Sequence, residues 1–317
     1  MLIDAPDLSL RDLLAIVAVA EHAHFGRAAA ALRIAQPTLS AQVKKVERAL
    51  GVVLFDRSGR KFSVTPEGHR ALPFIRDILG TAGSLVAGLD GRSAAQSPLR
   101  VGIIPTLGPY LLPHLLVPSS PPIPELTLCE QVTSELLRQL IDGTLDCAIV
   151  SLPIRHAALE CFPLFDESFL LIAPRSHHIL EHEVLSPNLL SVSEMVLLEE
   201  GHCFRDQAMA VCGSRRTGSP KLLTASLETL KLVVAAGGGY SLLPRLAAQP
   251  PGAVESRLVI RPFSRQAPLR TIVLCVRRSS PRHQEVHELA GLIRSRLPPS
   301  VKVVGQSEGR PRAGRVR

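Results

Sequence analysis

Two helical stretches joined by three residues constrain this chain more than anything else in it. Phe25–Leu32 is short and alanine-rich, and Arg33-Ile34-Ala35 leaves almost no room for a connection. Pro37 then sits where the first turn of a new helix tolerates it, because the missing N–H would have no helical partner there. The new helix carries Leu39, Val43, Val46 and Leu50 on one stripe and stops at Gly51, a residue that takes the left-handed conformation of a helix end without penalty. Upstream, Ser9 and Asp12 have capping-box spacing around Leu10, Leu13, Leu14 and Val17, which recur with helical period. Three short helices, the last two tightly joined, predict a helix-turn-helix. Phe55–Thr65 adds two short extended runs about Ser58-Gly59, a hairpin wing.

Pro66 opens a longer helical pattern that runs to about residue 90, and Gly91–Ser97 is small and polar, as a linker is. From Leu99 the texture changes. Apolar runs such as Leu99–Ile104 and Leu145–Val150 alternate with helical stretches such as Leu136–Ile141 as far as Ile293, which predicts buried parallel strands with crossover helices. The expected organisation is a helix-turn-helix domain with a wing over 1–65, a linker helix and hinge over 66–97, an α/β regulatory domain over 98–299, and a basic, disordered tail over 300–317.

Net charge is +8, which suits an anionic partner, and segment 25–61 concentrates eight Lys and Arg against two acids. Gln36, Thr38, Ser40, Gln42 and Lys45 lie on faces of the third helix that its apolar stripe does not use. Side chains of this kind at the start of such a helix reach base edges in a major groove, and neighbouring cations neutralise phosphates. With Pro37 at the helix start, Arg27 on the preceding helix, and Arg57, Arg60 and Lys61 on the wing, these are the candidate DNA-binding residues. The plainer reading is a small helical domain with a solvated polar face. No stretch of 18 apolar residues predicts a membrane span, and the first residues lack the basic and apolar regions of a signal peptide, so the expected location is the cytoplasm. The six cysteines are then expected to be reduced at rest.

The pattern Phe25, Ala28-Ala29, Leu32, Gln36-Pro37, Leu39-Ser40, Gln42-Val43, Val46-Glu47, Leu50-Gly51, followed by Leu54-Phe55-Asp56-Arg57 and Thr65-Pro66 with Gly68, resembles the LysR-type transcriptional regulators, from residue 8 to about 296. The resemblance implies a winged helix-turn-helix, a linker helix that pairs two subunits, and a two-lobed α/β regulatory domain similar to periplasmic binding proteins. It also implies homodimers that assemble as homotetramers, operator DNA and RNA polymerase as partners, and no enzymatic activity.

Residues 201–212 narrow the reading. Cys203 and Cys212 by spacing alone are open to several roles: buried small hydrophobes, metal ligands, catalytic thiols or a reversible disulfide. No zinc-type spacing accompanies them, so no metal and no cofactor is expected. Gly201-His202-Cys203, Arg205-Asp206-Gln207-Ala208-Met209 and Cys212, with Ile104–His114, Leu145–Ile149, Pro163–Glu167 and Ser226–Leu230, resemble the OxyR-type peroxide sensors within that family. By that resemblance Cys203 is the peroxidatic thiol and Cys212 resolves it, while Thr106, Thr133, His202, Gln207 and Arg270 form the peroxide pocket, with Arg205 and Asp206 in support. A thiolate attacks the peroxide, and a second thiol converts the sulfenic acid to a disulfide. Arg205, Arg270 and His202 can favour the thiolate by their charge. Plainer roles remain for each: Thr106 and Asp206 as helix caps, His202 as a loop hydrogen-bonder, Arg270 as a surface or bridging cation.

If 207–211 is helical, the two cysteines stand about 13 Å apart, beyond the ~7 Å that a disulfide spans between Cα atoms, so oxidation must refold the segment. The chain departs from the family pattern in three places. Val117–Pro124 should cut short the helix after Thr106, Gly213–Pro220 is polar and flexible, and Ala225-Ser226 replaces a common Thr-Ser pair. The other four cysteines are expected to be packing residues. The expected function is a transcriptional activator of oxidative-stress genes that senses hydrogen peroxide and is reset by a thiol reductant. The competing readings are a LysR-type regulator of a small organic acid, with the cysteines incidental, and a thiol peroxidase, which no cofactor motif supports. Gly237–Gly239 matches neither a Walker nor a Rossmann loop.

Overall fold

The computed structural model describes residues 7–56, 62–89, 98–118, 121–212, 218–248, 257–264 and 267–304. The chain divides into two compact units. The first holds residues 1–97 with 139–145 and 277–283, and the second holds the remainder.

In the first unit, α1 (Leu10–His22) begins at the capping box expected from the sequence: Ser9 Oγ accepts from the Asp12 N–H, and Asp12 accepts from the Ser9 N–H. His24 caps α2 (Phe25–Ala31), accepting from the N–H groups of Gly26 and Arg27. Arg33 turns the chain at φ 56, and α3 (Gln36–Leu50) starts with Pro37 in its first turn and ends at Gly51 with φ 68. Ile16, Val19, Ala28, Ala29, Leu39, Val43 and Val46 make the core, with Leu54 and Phe55. The methyl side chains of Ala28 and Ala29 fill little space, so α2 lies close against its neighbours. Strands β1 (Phe55–Asp56) and β2 (Ser63–Val64) pair antiparallel as the wing, and Phe25, Phe55 and Phe62 close over its base. Glu47 of α3 accepts the Leu54 N–H at 2.9 Å and so ties the wing to that helix. The long helix α4 (Pro66–Leu89) buries Leu72 and Ile75 in this core, and its Asp77 receives both guanidinium branches of Arg277 at 2.8 and 2.6 Å.

The second unit is built on one mixed sheet of eight strands, ordered β10-β6-β11-β5-β3-β4 with β9 and β12 also on β6. Strands β3 (Leu99–Ile103), β4 (Leu126–Glu130) and β5 (Cys147–Ser151) run parallel, as expected. The expectation of parallel strands fails elsewhere. β9 (Ser241–Pro244) and β10 (Leu258–Pro262) pair antiparallel with the 16-residue β6 (Leu159–Pro174), and β11 (Leu269–Arg277) pairs antiparallel with β5. A continuous apolar run reports burial on both faces, not direction, which the connections set. β7 (Val196–Leu198) and β8 (Leu222–Thr224) form a separate parallel pair. Among the helices, α5 (Gly108–Leu115) stops ahead of Pro118, as its proline-rich sequel requires, and α6 (Thr133–Ile141), α7 (Cys203–Val211), α8 (Leu227–Ala235) and α9 (His283–Ser295) follow.

Two further expectations need correction. The tail is not wholly without structure: Lys302–Val303 forms β12 against Asp166 and Phe165 of β6, and the rest of the tail lies outside the described residues. Nor are all the remaining cysteines plain packing residues, because Cys161 of β6 and Cys275 of β11 are joined as a disulfide. Sequence periodicity cannot register such a pair, since the partners lie 114 positions apart. Residues 213–217 of the polar loop and the linker 91–97 lie outside the described residues.

Candidate functional site

In the first unit, the stripe that α3 spends on the core leaves Gln36, Pro37 and Thr38 exposed and Ser40, Gln42 and Lys45 half-buried. Gln42 Oε1 is buried without a hydrogen-bond partner. Lys45 Nζ lies 3.1 Å from Asp12 and 3.5 Å from Asp7, so its charge is partly spent within the unit. Arg27 donates to the His22 carbonyl at 2.8 Å. Arg57, Arg60 and Lys61 lie outside the described residues. The sequence reading passed over Lys44, which is exposed on α3; nothing in an isolated Lys44-Lys45 pair tells which of the two the fold neutralises.

In the second unit, a small, tightly closed cleft is lined by Ile104, Pro105, Thr106, Val132, Thr133, His202 and Cys203. Thr106 follows β3, and Thr133 is the first residue of α6. His202 and Cys203 are the N-cap and first residue of α7. Thr106 is not a helix cap, since Leu107 holds that position. Its hydroxyl instead accepts from Arg270 Nη1 at 2.9 Å, and its carbonyl accepts from Nη2 at 3.1 Å. An accepting hydroxyl keeps its own proton to donate.

Arg270 is buried, with its Nε donating to Glu167 at 2.8 Å, and neither side chain reaches solvent. Glu167 also accepts the Leu246 N–H at 2.6 Å. Glu167 is the residue that sequence reasoning missed as such; β6 also carries Glu160 and Asp166, and nothing local marks Glu167 as the acid that turns inward. Gln207, one helical turn beyond Cys203, donates to Ser151 Oγ at 2.8 Å and the Leu152 carbonyl at 3.1 Å. Gln207 Oε1 and Thr133 Oγ1 are both buried with no hydrogen-bond partner.

The three positive groups expected to favour a thiolate act differently from that expectation. Arg270 is neutralised by Glu167, and Arg205 pairs with Glu200 at 3.0 Å. Burial pushes His202 below its ordinary 6.5, against the opposing pull of Glu199 and a hydrogen bond to the Ala225 backbone, so at neutral pH it is an uncharged imidazole. It can take a proton from a thiol but supplies no charge. Protonating His202 costs more in the folded protein than in the unfolded chain. The stability tied to its neutral form is therefore complete above 6.5 and erodes as pH falls below that value. The melting temperature is expected to fall less steeply between pH 7 and 5 in His202→Gln than in the parent, as read by scanning calorimetry; parallel slopes would remove His202 from the titration. Asp206 is exposed in the first turn of α7, whose N-cap makes no side-chain hydrogen bond.

Cys212 stands at the other end of α7, 4% exposed, with its sulfur 3.4 Å from Met195 Sδ and 3.7 Å from the Ala208 carbonyl. Phe204 and Ala208 anchor the helix, and the Phe204 ring packs edge-on against Phe169 at 5.4 Å. The structure thus brings Cys203, His202, Thr106 and Thr133 together, with Arg270 held on Thr106, and keeps Cys212 apart by nine helical positions, roughly 13 Å. Cys129 is held as a thiol by burial and by the nearby Glu135 carboxylate.

Among the described residues one cluster has the donor atoms for a metal: His177, His178 and Glu194 lie with their ligand atoms within 4.8 Å. His177 Nδ1 already accepts the Ile179 N–H, which fixes the ring proton on Nε2, the nitrogen facing Glu194. His177 Nε2 lies 3.8 Å and His178 Nε2 3.4 Å from the Glu194 carboxylate, which suits a carboxylate set beside two imidazoles. No helix among the described residues is long and apolar enough to cross a membrane.

Comparison with known proteins places this geometry. Residues 10–69 match the bacterial regulatory helix-turn-helix protein, lysR family, and residues 92–298 match the LysR substrate binding domain. The chain is 40% identical over 295 residues to the DNA-binding transcriptional dual regulator OxyR of Escherichia coli (strain K12), covering 92% of this chain and 96% of that one. It is 38% identical over 299 residues to a probable hydrogen peroxide-inducible genes activator of Streptomyces viridosporus, covering 91% and 94%. Among solved structures it is similar to full-length OxyR of Pseudomonas aeruginosa in a cysteine-to-aspartate form, with TM-score 0.78, 35% identity and 95% and 99% of the two chains covered. It is also similar to a hydrogen-peroxide-bound cysteine-to-serine OxyR of Corynebacterium glutamicum, with TM-score 0.57, 34% identity and 92% of each chain covered.

Proposed function

We propose that this chain, which belongs to the LysR family of bacterial helix-turn-helix regulators, senses hydrogen peroxide at Cys203 and answers by changing how it holds operator DNA. The observation that carries the reading is the cleft itself. The Cys203 thiol, on the first residue of α7, shares the cleft with the Thr106 hydroxyl and with Thr133 Oγ1, which is buried with no hydrogen-bond partner, as is Gln207 Oε1 one turn further along the helix. Hydrogen peroxide has two O–H donors and the size of about two waters. An organic-acid effector would want an unspent cation, and Arg270 is committed to Glu167 and Thr106.

In this mechanism His202 accepts the Cys203 proton and the thiolate attacks one peroxide oxygen. The S–O bond forms as the O–O bond breaks, and the leaving hydroxide takes a proton from the site's donors and departs as water. Cys212 then displaces the second oxygen as water and closes the disulfide. One such event is stored per chain until a thiol reductant reopens it, which makes the site a switch and not a turnover catalyst. The domain boundaries follow: DNA-binding over 1–65, linker over 66–97, sensing over 98–299. Exposed Phe74 and Ile78, one turn apart on α4, favour pairing of that helix with a second copy as a homodimer, the unit of a homotetramer. RNA polymerase is the partner on DNA, and the cytoplasm the compartment. Peptide mapping of alkylated protein before and after one equivalent of hydrogen peroxide tests the reading: Cys203 and Cys212 become linked if it holds, and Cys203 stays a free thiol if it does not.

The DNA face carries its own expectation. Thr38→Ala should weaken operator binding about tenfold, within the 1–3 kcal/mol typical of one base contact, and leave non-specific DNA almost unaffected. Lys44→Ala should weaken both and reduce the salt slope by about one. Anisotropy titrations of labelled duplexes at several salt concentrations separate the two; equal losses on both DNAs for Thr38→Ala would remove it from base reading.

A further inference from the structure

The cysteines that the sensing reading does not use include a pair the fold has already brought together. Cys161 lies on β6 and Cys275 on β11, neighbouring strands of the main sheet, with Cα atoms 4.1 Å apart. Cys275 is fully buried, while Cys161 is half-buried. We propose that Cys161 and Cys275 are a second thiol–disulfide couple of this chain, oxidised by hydrogen peroxide at Cys161 and resolved by Cys275, which staples β6 to β11 without refolding either strand.

The contrast with Cys203 and Cys212 is geometric. That pair is separated by a helix, and its closure must unwind α7. This pair sits side by side on paired strands, so closure moves nothing larger than two side chains. Exposure sets the order of events: an oxidant from solvent meets Cys161 first. The Cys161 thiolate attacks one peroxide oxygen, an S–O bond forms, the O–O bond breaks, and water leaves after protonation. The Cys275 thiolate then attacks the Cys161 sulfur, the S–S bond forms, the S–O bond breaks, and a second water leaves. Two thiols are oxidised and one peroxide is reduced. A dithiol reductant reverses the step by exchange.

The staple joins the two strands that hold the buried ion pair: Glu167 is on β6 and Arg270 on β11. In the closed state the strands that place Arg270 on Thr106 are covalently tied while α7 rearranges. The couple also accounts for a disulfide in a chain whose expected compartment keeps thiols reduced: it opens and closes there instead of standing permanently.

The test uses the full chain as Cys203→Ser, reduced with dithiothreitol, desalted, treated with hydrogen peroxide, quenched in denaturant, alkylated and peptide-mapped. The expected result is a Cys161–Cys275 link, with Cys129, Cys147 and Cys212 alkylated and the link lost on renewed dithiothreitol treatment of the folded protein. Free, alkylated Cys161 after peroxide would overturn the proposal. So would a link that dithiothreitol cannot open in the folded protein, which would make it a fixed staple. The same map on the parent chain serves if the variant does not fold. A Cys203–Cys212 link alone there sinks this inference and leaves the sensing reading intact, and a Cys161–Cys275 link alone does the reverse.

Discussion

Replacing Cys203 by serine is expected to abolish the peroxide-induced change in the operator footprint while leaving the footprint of the reduced protein as it was. Cys203 is only half-buried at the start of α7, and serine differs from it by a single atom, so the helix and its N-cap survive the change. What is lost is the nucleophile, since a hydroxyl in this cleft does not open an O–O bond. The switch itself follows from the helix. Cys212 cannot meet Cys203 while α7 is intact, because ~13 Å separates the ends of a nine-residue helix and a disulfide tolerates about 7 Å between Cα atoms. Closure of the proposed Cys203–Cys212 disulfide would therefore pull Cys212 from its contacts with Met195 and Ala208, and strain the seat of Phe204 against Phe169. Hydrogen exchange over 203–212 should accelerate by orders of magnitude in the oxidised parent chain and stay slow in Cys203→Ser under peroxide. A footprint that still shifts with peroxide in the variant would place the sensing thiol elsewhere.

The largest expected loss of stability comes from Glu167. Its carboxylate and the Arg270 guanidinium are both out of water, and Glu167 also receives the Leu246 N–H. Glu167→Ala leaves a buried cation without its counter-charge, a change that typically costs about 3–5 kcal/mol. Glu167→Gln keeps an acceptor for Leu246 and restores part of that loss. Urea denaturation of the two variants checks the order. A loss below about 1 kcal/mol for Glu167→Ala would mean that water or another anion reaches Arg270. The pair also positions chemistry: with Glu167 gone, Arg270 no longer fixes the Thr106 hydroxyl, and Cys203 should react with peroxide more slowly in the fraction that remains folded.

The N-terminal architecture was legible because its signals are local. Ser9 with Asp12, Pro37 and Gly51 each act within one helical turn of themselves, and the apolar stripe of α3 is a property of spacing alone. Gly201–Met209 was legible as a contiguous motif, and the α7 helix that keeps Cys203 from Cys212 lies in the same short stretch; that Thr106 and Thr133 share a cleft with Cys203 is a matter of the tertiary fold. The direction of β6, β9, β10 and β11, the acid that meets Arg270, the neutrality of His202 and the bond between Cys161 and Cys275 belong to another class. Each depends on which distant segment the chain lays beside another, or on how much water is left around a group once it does. Local pattern marks the faces that turn inward, although Leu10, Leu14 and Leu50 of those stripes stay exposed; only the assembled fold decides which inward residues meet, and with that which charges are spent and which thiols are within reach of one another.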